Sequence, residues 1–300
     1  MYDILIIGGG PAGLTAAIYA ARAGLSFVIT EKDIMGSGAI SSAEQVDNYP
    51  GLQGINGYDL GEKFSAHAKD MGAEIINGEV LSVRCEDKSF TTVFADNKTT
   101  RSKTILYAAG TRHRPLEIPG AELMGISYCA VCDGAFYGGK KVAVIGGGDT
   151  ALTDALYLSK SSEEVFLIHR RSEFRANASL VKRAKENEKI RIITNAVPVK
   201  VIGEKRVSGL ELLCNDEKMD IEVNGIFAAI GILPNTDILK GIVELDSGGF
   251  IIADESGKTS LPGFFAAGDV RTKALRQVVT ACADGANCID SIEKYLSDKK

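Results

Sequence analysis

Two stretches decide the fold: residues 2–33, YDILIIGGGPAGLTAAIYAARAGLSFVITEKD, and residues 140–171, KKVAVIGGGDTALTDALYLSKSSEEVFLIHRR. They superpose without a gap at an offset of 138 residues. The offset pairs the small residues that follow the first apolar run of each copy: Gly8 with Gly146, Gly10 with Gly148, and Gly13 with Ala151. Because this period is far longer than that of a solenoid repeat, the sequence predicts two similar domains, one nested in the other.

Each copy follows the pattern of a βαβ unit. A short apolar run, at 4–7 or 142–145, leads into glycines, then a helical stretch, then a second apolar run. Glycine allows the sharp turn and the close approach of a pyrophosphate, which the free N–H groups at a helix N-terminus bind. A single glycine motif is weak evidence, but two in matching contexts are strong. We therefore predict an α/β fold of two nested dinucleotide-binding, Rossmann-like domains.

The end of the second strand indicates which nucleotide each copy binds. Glu31 stands there in the first copy, where an acid accepts hydrogen bonds from a ribose 2′-hydroxyl. His169 stands there in the second, followed by Arg170 and Arg171, with Arg175 close behind. A carboxylate would repel a 2′-phosphate, whereas guanidiniums bind it. On its own, this basic segment would be interpreted as a solvated surface turn. Because it aligns with Glu31 at the same offset of 138 residues, we predict FAD at the first site and NADPH at the second.

The boundaries of the two domains follow from the other apolar runs. Residues 104–111, 225–232 and 263–270 are predicted as late strands, and Asp269 follows the third. We expect the chain to cross between domains at 111–120 and 241–249. The prediction is a discontinuous FAD-binding domain, residues 1–114 plus 244–300, and an inserted NADPH-binding domain, residues 115–243, which carries the cysteine pair described below.

Composition excludes several classes of protein. The chain is 45% hydrophobic and 24% charged, which is ordinary for a soluble globular protein, and its net charge of −5 argues against a nucleic-acid partner. Residues 4–21 carry no charge, but glycines and a proline interrupt them and Asp3 precedes them. We therefore expect no membrane span or signal peptide, and a cytoplasmic protein.

The segment SYCAVCDGAFYGG, residues 127–139, carries two cysteines, Cys129 and Cys132, followed by Asp133. Zinc is not expected, because a structural site needs four ligands and the chain holds three histidines, none at finger spacing. An idle disulfide stays open, although it would close too short a loop to add much stability. A redox-active pair explains the spacing better, since a helix start favours thiolate and Asp133 can move a proton. The remaining cysteines are expected to be buried thiols: Cys85, Cys214, Cys282 and Cys288.

Five segments together resemble the low-molecular-weight thioredoxin reductases of the pyridine nucleotide–disulfide oxidoreductase superfamily. They are GGGPAGLTAAIYAARAG, CAVCDG, HRRSEFRA, AAIGILPNT and AAGDVRTKALRQVVTACADGA. The resemblance covers essentially the whole chain in the same order. A cysteine pair inside the NADPH domain is typical of this subfamily, because the glutathione reductase type carries the pair in its FAD domain.

The resemblance implies a redox circuit from NADPH through FAD to a disulfide. Cys132 matches the cysteine nearest the flavin, Cys129 the one that attacks the partner disulfide, and Asp133 the acid. It also implies a homodimer whose NADPH domain rotates between two positions. The partner would be thioredoxin or a thioredoxin- or glutaredoxin-like protein.

The resemblance further implies two sets of cofactor-binding residues. The FAD set is Gly8, Gly10, Pro11, Ala12, Gly13, Glu31, Lys32, Asn48, Val80, Gly110, Asp269, Arg276, Gln277 and Val278. The NADPH set is Gly146, Gly148, Asp149, Thr150, His169, Arg170, Arg171, Arg175 and Gly231.

The chain departs from the family pattern in two places. Residues 36–38 read GSG where the family usually has GGQ, so a side-chain contact near the flavin is missing. Residues 135–138 read AFYG where the family commonly has two phenylalanines and a basic residue that help to dock thioredoxin. Loss of an aromatic anchor costs about 1–3 kcal/mol of binding. A divergent thioredoxin or a glutaredoxin-like protein is therefore our hypothesis for the partner.

Three rival functions fit parts of the pattern. A flavin-dependent dithiol oxidase would keep the cysteines but use oxygen, and the basic cluster at 169–175 argues against it. A ferredoxin-linked thioredoxin reductase would take its electrons from another donor. A non-catalytic flavin-binding module would carry vestigial cysteines, and its variants without them would behave like the wild type.

Overall fold

The protein is described here as a computed structural model. The structure describes residues 1–33, 38–43, 46, 48–86, 88–215 and 217–298, without the side chains of Ser42 and Cys132. The chain divides into two compact units. Unit 1 comprises Met1–Arg112 and Leu233–Lys300, and unit 2 comprises His113–Ile232. Among the described residues, no helix is both long enough and apolar enough to cross a bilayer.

The described strands are, in chain order, β1 (Tyr2–Ile7), β2 (Phe27–Glu31), β3 (Ile75–Asn77), β4 (Val80–Glu86), β5 (Ser89–Phe94), β6 (Thr99–Tyr107), β7 (Thr111–His113), β8 (Ile126–Ser127), β9 (Lys141–Ile145), β10 (Glu164–Ile168), β11 (Ile190–Ile193), β12 (Ala196–Gly203), β13 (Val207–Cys214), β14 (Glu217–Glu222), β15 (Gly225–Ala228), β16 (Ile232–Pro234) and β17 (Phe264–Ala266). The helices are α1 (Pro11–Arg22), α2 (Gly57–Asp70), α3 (Ala130–Asp133), α4 (Asp149–Leu158), α5 (Ala178–Lys185) and α6 (Val278–Ser297). Short 3-10 turns span Gly38–Ser42, Gly134–Tyr137, Asp237–Leu239 and Gly268–Val270.

Unit 1 is built on a sheet in the order β3-β2-β1-β6-β5-β4, with β17 also pairing with β6. β1 runs parallel to both neighbours, so that Ile6 lies opposite Ile29 of β2 and Leu106 of β6. Residues 4–7 are buried throughout because both faces of the sheet are covered, as parallel strands require. One face packs against α1 and α6, and the other against apolar side chains that include Leu239 and Val243.

Unit 2 repeats this plan with different cover. Its parallel sheet has the order β11-β10-β9-β15-β8. One face packs against α4 and α5, while the other packs against the antiparallel sheet β12-β13-β14. The predicted α/β fold with two Rossmann-like sheets is confirmed by these two parallel sheets and by the sequence order of their strands.

The glycine turn after the first strand of each unit depends on a close backbone approach. Gly8 has φ +114°, and a Cβ atom there would collide with the carbonyl oxygen of Ala108. Gly146 has φ +156°, and a Cβ atom there would collide with the carbonyl oxygen of Ala229. Glycine is needed at both positions, because a side chain would push the turn away from the end of the adjacent strand.

The second crossing between units lies earlier than the sequence indicated. The chain re-enters unit 1 at Leu233, whereas the predicted boundary was at 243–244 and the predicted crossing strand at 241–249. Residues 233–243 belong to unit 1 because Leu239 and Val243 are buried in its core. The observed crossing strands are β7 and β16, which form a two-stranded sheet.

Substituting Gly8 by alanine should destabilise the protein much more than substituting Gly24. Both glycines have positive φ, +114° and +68°, but no atom lies within 4 Å of a Cβ built at Gly24. Left-handed strain costs about 1–2 kcal/mol at either site, and overpacking adds about 1–3 kcal/mol at Gly8 alone. Urea unfolding of both variants measures the difference, and equal losses would contradict the close approach at Gly8.

Asp154→Asn should stabilise unit 2 at neutral pH and have less effect in acid. Burial raises the pKa of Asp154, on α4, to about 6. The folded-state pKa then exceeds the unfolded one, so protonation favours folding below about pH 4 and this contribution is lost as pH rises through about 6. The gain at pH 8 should reach about 1–3 kcal/mol. Unfolding free energies at pH 4.5 and pH 8 provide the measurement, and an equal gain at both values would contradict it.

Candidate functional site

Unit 1 contains a cleft at the carboxyl ends of β1 and β2 and the start of α1. The main cavity has a volume of about 790 Å³, and a side cavity of about 250 Å³ adjoins it. We call the two together the unit 1 cleft. Five residues line both cavities: Glu31, Lys32, Ala109, Arg112 and Asn235. In α/β folds, ligands bind outside the carboxyl ends of the strands, as this cleft would allow.

The structure brings nearly all the residues predicted for FAD together at this cleft. The main cavity is lined by Gly10, Pro11, Ala12, Glu31, Lys32, Asn48, Gly110, Asp269, Arg276, Gln277 and Val278. Gly8 and Val80 line the side cavity. Gly13 does not line either cavity, because it lies beneath the turn, where a Cβ atom would collide with the carbonyl oxygen of Gly8.

The start of α1 faces the cleft without a side-chain cap. Gly10 is the N-cap residue and Pro11 follows it, so no side chain satisfies the first free N–H groups. Glu31 Oε2 accepts a hydrogen bond of 2.6 Å from the Gly9 N–H and thereby braces the turn. The uncapped N-terminus suits an anionic ligand, as a pyrophosphate would be.

Asp269 provides an unsatisfied acceptor in the wall of the cleft. Its Oδ1 is buried and has no hydrogen-bond partner within the described part of the chain. Burial raises the pKa of Asp269, against the lowering effect of Lys273 and Arg276. An unsatisfied buried polar atom costs about 1–3 kcal/mol. A ligand hydroxyl would satisfy this oxygen, and FAD carries several on its ribityl and ribose groups.

Residues distant in sequence meet at the far wall of the cleft. Asn48 Nδ2 donates a hydrogen bond of 2.8 Å to Gln277 Oε1. Arg276 Nε donates to the carbonyl oxygen of Asp269 at 3.2 Å, and its guanidinium stacks 4.1 Å over the ring of Phe250. Asn48 and Gln277 are exposed and Arg276 is half-buried, and these contacts orient the three side chains along the wall of the cleft.

The unit 1 cleft therefore fits FAD. It joins a cavity of about 790 Å³ to a side cavity of about 250 Å³, the uncapped start of α1 can bind an anion, and Asp269 Oδ1 can accept a hydrogen bond from a hydroxyl group. Gly38, of the GSG departure, lines it with φ +72°, and a Cβ there would lie 3.2 Å from the Cα of Gly10. Gly36 and Ser37 lie outside the described residues, so the effect of that departure stays a prediction.

In unit 2, the predicted NADPH residues surround the start of α4. Gly148 is its uncapped N-cap residue, and Asp149 and Thr150 follow in the first turn, exposed. Asp149 Oδ1 accepts a hydrogen bond of 2.7 Å from the Asn177 N–H. Gly231 has φ +109° with no atom within 4 Å of a built Cβ. The uncapped helix start that lines the unit 1 cleft thus recurs in unit 2, where the first turn of the helix is exposed.

His169 is a packing residue in this structure. It is buried, stacks on Phe174 with 5.1 Å between ring centroids, and has Nε2 3.0 Å from the Glu173 carbonyl oxygen. A Cβ atom on Gly147 would collide with its ring. Burial lowers the pKa of His169, so the ring tends towards its neutral form. The charges that remain available to a phosphate are those of the arginines.

Three arginines at the end of β10 have exposed side chains: Arg170, Arg171 and Arg175. Within the described residues, none of them pairs with an acidic side chain. The Arg175 N–H donates to the Gly147 carbonyl oxygen at 2.9 Å, which ties this basic loop to the glycine turn. Uncompensated guanidiniums beside an uncapped helix start suit a nucleotide with an additional phosphate.

Cys129 directly precedes α3, a single helical turn that includes Cys132. Cys129 is half-buried and disulfide-bonded, and its N–H donates a hydrogen bond of 3.0 Å to Ser127 Oγ. The Asp133 N–H donates to the Cys129 carbonyl oxygen at 3.2 Å, which closes the turn. The Cys132 side chain lies outside the described residues. A disulfide-bonded Cys129 is consistent with redox chemistry at this helix.

The other four cysteines are free, but they are less buried than expected. Cys288 is buried, Cys214 and Cys282 are half-buried, and Cys85 is exposed. The expectation of a buried thiol was wrong for Cys85 because it lies on β4, an outer strand of the unit 1 sheet, with solvent-facing neighbours.

An exposed aromatic residue follows α3. Phe136 is 73% exposed, which is unusual because phenylalanine is among the residues most often buried in folded proteins. Its carbonyl oxygen accepts a hydrogen bond of 3.0 Å from Lys140 Nζ, and Ala135 beside it is also exposed. The turn Gly134–Tyr137 therefore presents one aromatic side chain to solvent next to the cysteine helix.

Sequence reasoning missed several residues of the unit 1 cleft. Arg112 and Asn235 line both cavities, and Arg112 Nη1 donates to Asn235 Oδ1 at 2.9 Å. Asn235 belongs to the motif AAIGILPNT, so its motif membership was the available signal. Asp284 lies outside the cleft, on α6, and accepts a hydrogen bond from the Gly268 N–H; it belongs to the motif AAGDVRTKALRQVVTACADGA, which was its available signal.

Comparison with known proteins agrees with this geometry. A model of the pyridine nucleotide-disulphide oxidoreductase family matches residues 2–285. A thioredoxin reductase of Listeria monocytogenes is 40% identical over 306 residues, covering 100% of this chain and 95% of that protein. The crystal structure of Lactococcus lactis thioredoxin reductase in the FR conformation has a TM-score of 0.89 at 35% identity, covering 99% of this chain and 100% of that one. That of T. acidophilum thioredoxin reductase has a TM-score of 0.85 at 33% identity, covering 100% and 99%. The chain belongs to the pyridine nucleotide-disulphide oxidoreductase family.

Proposed function

We propose that this chain is a thioredoxin-disulfide reductase that uses NADPH and FAD. The observation that carries the proposal is the disulfide-bonded Cys129 at the start of α3, in a chain that resembles thioredoxin reductases along its whole length. The unit 1 cleft and the basic loop of unit 2 supply the two nucleotide sites that such an enzyme needs. A dithiol oxidase would leave the basic loop of unit 2 without a role, and a non-catalytic flavin module would leave the disulfide without one.

The overall reaction balances in atoms and electrons. NADPH gives up a hydride, the Cys129–Cys132 disulfide gains two electrons and two protons, and one proton comes from solvent. FAD, when bound, supplies the chemistry that couples a hydride donor to a disulfide. The reduced pair then exchanges with the disulfide of thioredoxin, which leaves as a dithiol while the enzyme disulfide forms again.

Each unit is assigned one nucleotide. Unit 1 binds FAD, on the support of its two adjoining cavities, the uncapped start of α1 and the unsatisfied Asp269 oxygen. Unit 2 binds NADPH, on the support of the uncapped start of α4 and the exposed arginines 170, 171 and 175.

The roles within the cysteine helix follow the family resemblance. Cys129 attacks the thioredoxin disulfide, and Cys132 resolves the mixed disulfide from within the enzyme. Asp133 moves the proton that each exchange requires. The short hydrogen-bonded turn from Cys129 to Asp133 supports this assignment, because it keeps the three residues on one helical turn.

The redoxin surface includes Phe136. Its exposure beside α3 supports docking of a thioredoxin, and Ala135 leaves it as a single aromatic anchor. The similarity to thioredoxin reductases supports thioredoxin itself as the partner, in place of the divergent thioredoxin or glutaredoxin-like protein hypothesised from the sequence, and a comparison of these carriers tests the choice. We also propose a homodimer, on the family resemblance, and a cytoplasmic location, where the four free cysteines would stay reduced.

Serine substitution at Cys129 or Cys132 should abolish NADPH-dependent reduction of thioredoxin. Each variant leaves one sulfur, which cannot form the intramolecular disulfide, so turnover should fall at least about 1,000-fold. Cys214→Ser is the matched control, because Cys214 is a free, half-buried thiol elsewhere in unit 2. Its turnover should equal that of the wild type.

The same assay separates the rival functions. A dithiol oxidase would consume oxygen and ignore NADPH, and a ferredoxin-linked enzyme would need a different electron donor. Absence of NADPH-dependent turnover in the wild type and in the Cys132→Ser variant alike would favour the non-catalytic flavin module, and full turnover in that variant would exclude the cysteine pair from the electron path. Any of these results would overturn the proposal.

A further inference from the structure

Unit 1 contains a buried charge network formed by Arg271, Lys273 and Asp284. Asp284 lies on α6 and accepts hydrogen bonds from Arg271 Nη2 at 2.7 Å, Arg271 Nε at 2.9 Å and Lys273 Nζ at 2.8 Å. The three side chains are 3%, 5% and 5% exposed, respectively. Glu255 joins Arg271 at 3.3 Å from the rim, where it is 86% exposed.

Such a network is not explained by stability alone. Taking charges out of water costs several kcal/mol per ion, and well-packed apolar residues often do as well or better in their place. Arg271 and Lys273 lie two residues apart in a loop, and Asp284 lies on α6. Three buried charges so close together suggest a role at the adjacent unit 1 cleft.

The network is hydrogen-bonded to the turn that carries Asp269. Asp284 Oδ2 also accepts a hydrogen bond of 2.9 Å from the Gly268 N–H, in the residue directly before Asp269. Gly268 has φ +77°, and a Cβ there would lie 3.0 Å from the Cβ of Ala12. The turn is thus hydrogen-bonded to α6 on one side and packed on the start of α1 on the other, with little space for a side chain at Gly268.

The charges of the network act on the pKa of Asp269 in both directions, because Lys273 lowers it and Asp284 raises it. Arg271 and Lys273 carry two positive charges, and Asp284 offsets one of them. Lys273 and Arg276 both lower the pKa of Asp269, against burial, which raises it and is the larger influence. The contribution of the network to the cleft is therefore geometric: it fixes the turn from which the buried, unpartnered Oδ1 of Asp269 can accept a hydrogen bond from a ligand hydroxyl.

We propose that Asp284 is a positioning residue for FAD: it holds the Gly268–Asp269 turn through the Gly268 N–H, with Arg271 and Lys273 as its counter-ions. The inference rests on the proposed function, because it assumes that FAD binds in the unit 1 cleft. It adds a residue that does not touch the cleft but fixes a residue that does.

A double-mutant cycle on FAD affinity tests this inference. Asp284→Asn, Asp269→Asn and the double variant are prepared as full-length apoproteins and titrated with FAD, with bound flavin measured by fluorescence. Each single substitution should weaken binding about tenfold or more. The double variant should bind FAD no more weakly than the single variant with the larger loss of affinity, because Asp284 acts through Asp269.

A matched control separates positioning from general destabilisation. Asp3→Asn removes an ion-paired carboxylate of the same unit, bonded to Lys103 at 2.7 Å and remote from the cleft. It should lower the unfolding temperature of the apoprotein and leave FAD affinity within about twofold, since none of its contacts reach the cleft.

A second variant keeps the inference testable if Asp284→Asn does not fold. Lys273→Met retains the stem of the side chain and removes its charge, and it should weaken FAD binding in the wild-type background but not in the Asp269→Asn background. Additive losses, or unchanged affinity in Asp284→Asn or Lys273→Met, would overturn the inference while leaving the proposed function intact. Failure of the wild type to bind FAD would instead overturn the proposed function.

Discussion

The contact on which the structure depends is the approach of a glycine turn to the end of the adjacent parallel strand. Gly8 lies against the carbonyl oxygen of Ala108, and Gly146 lies against that of Ala229. Because no Cβ intervenes, the following helix starts directly at the strand end and leaves its first N–H groups free. Both nucleotide sites follow from this one device, which the chain uses twice at the same offset.

The residue at the end of the second strand braces the turn in both copies, by different chemistry. In unit 1, Glu31 accepts a hydrogen bond from the Gly9 N–H. In unit 2, the ring of His169 packs where a Cβ on Gly147 would stand. The position read from sequence as selecting the nucleotide therefore also supports the turn. Because His169 is buried, the arginines that follow it remain as the charges that distinguish the second site.

Much of the fold and of the unit 1 cleft could be predicted because the signals are local and repeated. The glycine spacing predicted the turns at Gly8 and Gly146, and the apolar runs before them form parallel strands in the structure. The crossing at Leu233 was missed because the sequence does not indicate which of the two units the apolar residues after Leu233 pack against. Asp284 was missed because its partners lie 11 to 16 residues away along the chain and meet it only when α6 packs on the turn.

Counting thiols before and after anaerobic addition of NADPH to the FAD-loaded protein tests the electron path most directly. The chain has six cysteines, of which Cys85, Cys214, Cys282 and Cys288 are free and Cys129 is disulfide-bonded. After unfolding in a thiol reagent, the protein should give four thiols per chain without NADPH and six with it, accompanied by loss of the yellow flavin absorbance. Four thiols in both samples, or a flavin that NADPH does not bleach, would contradict the account.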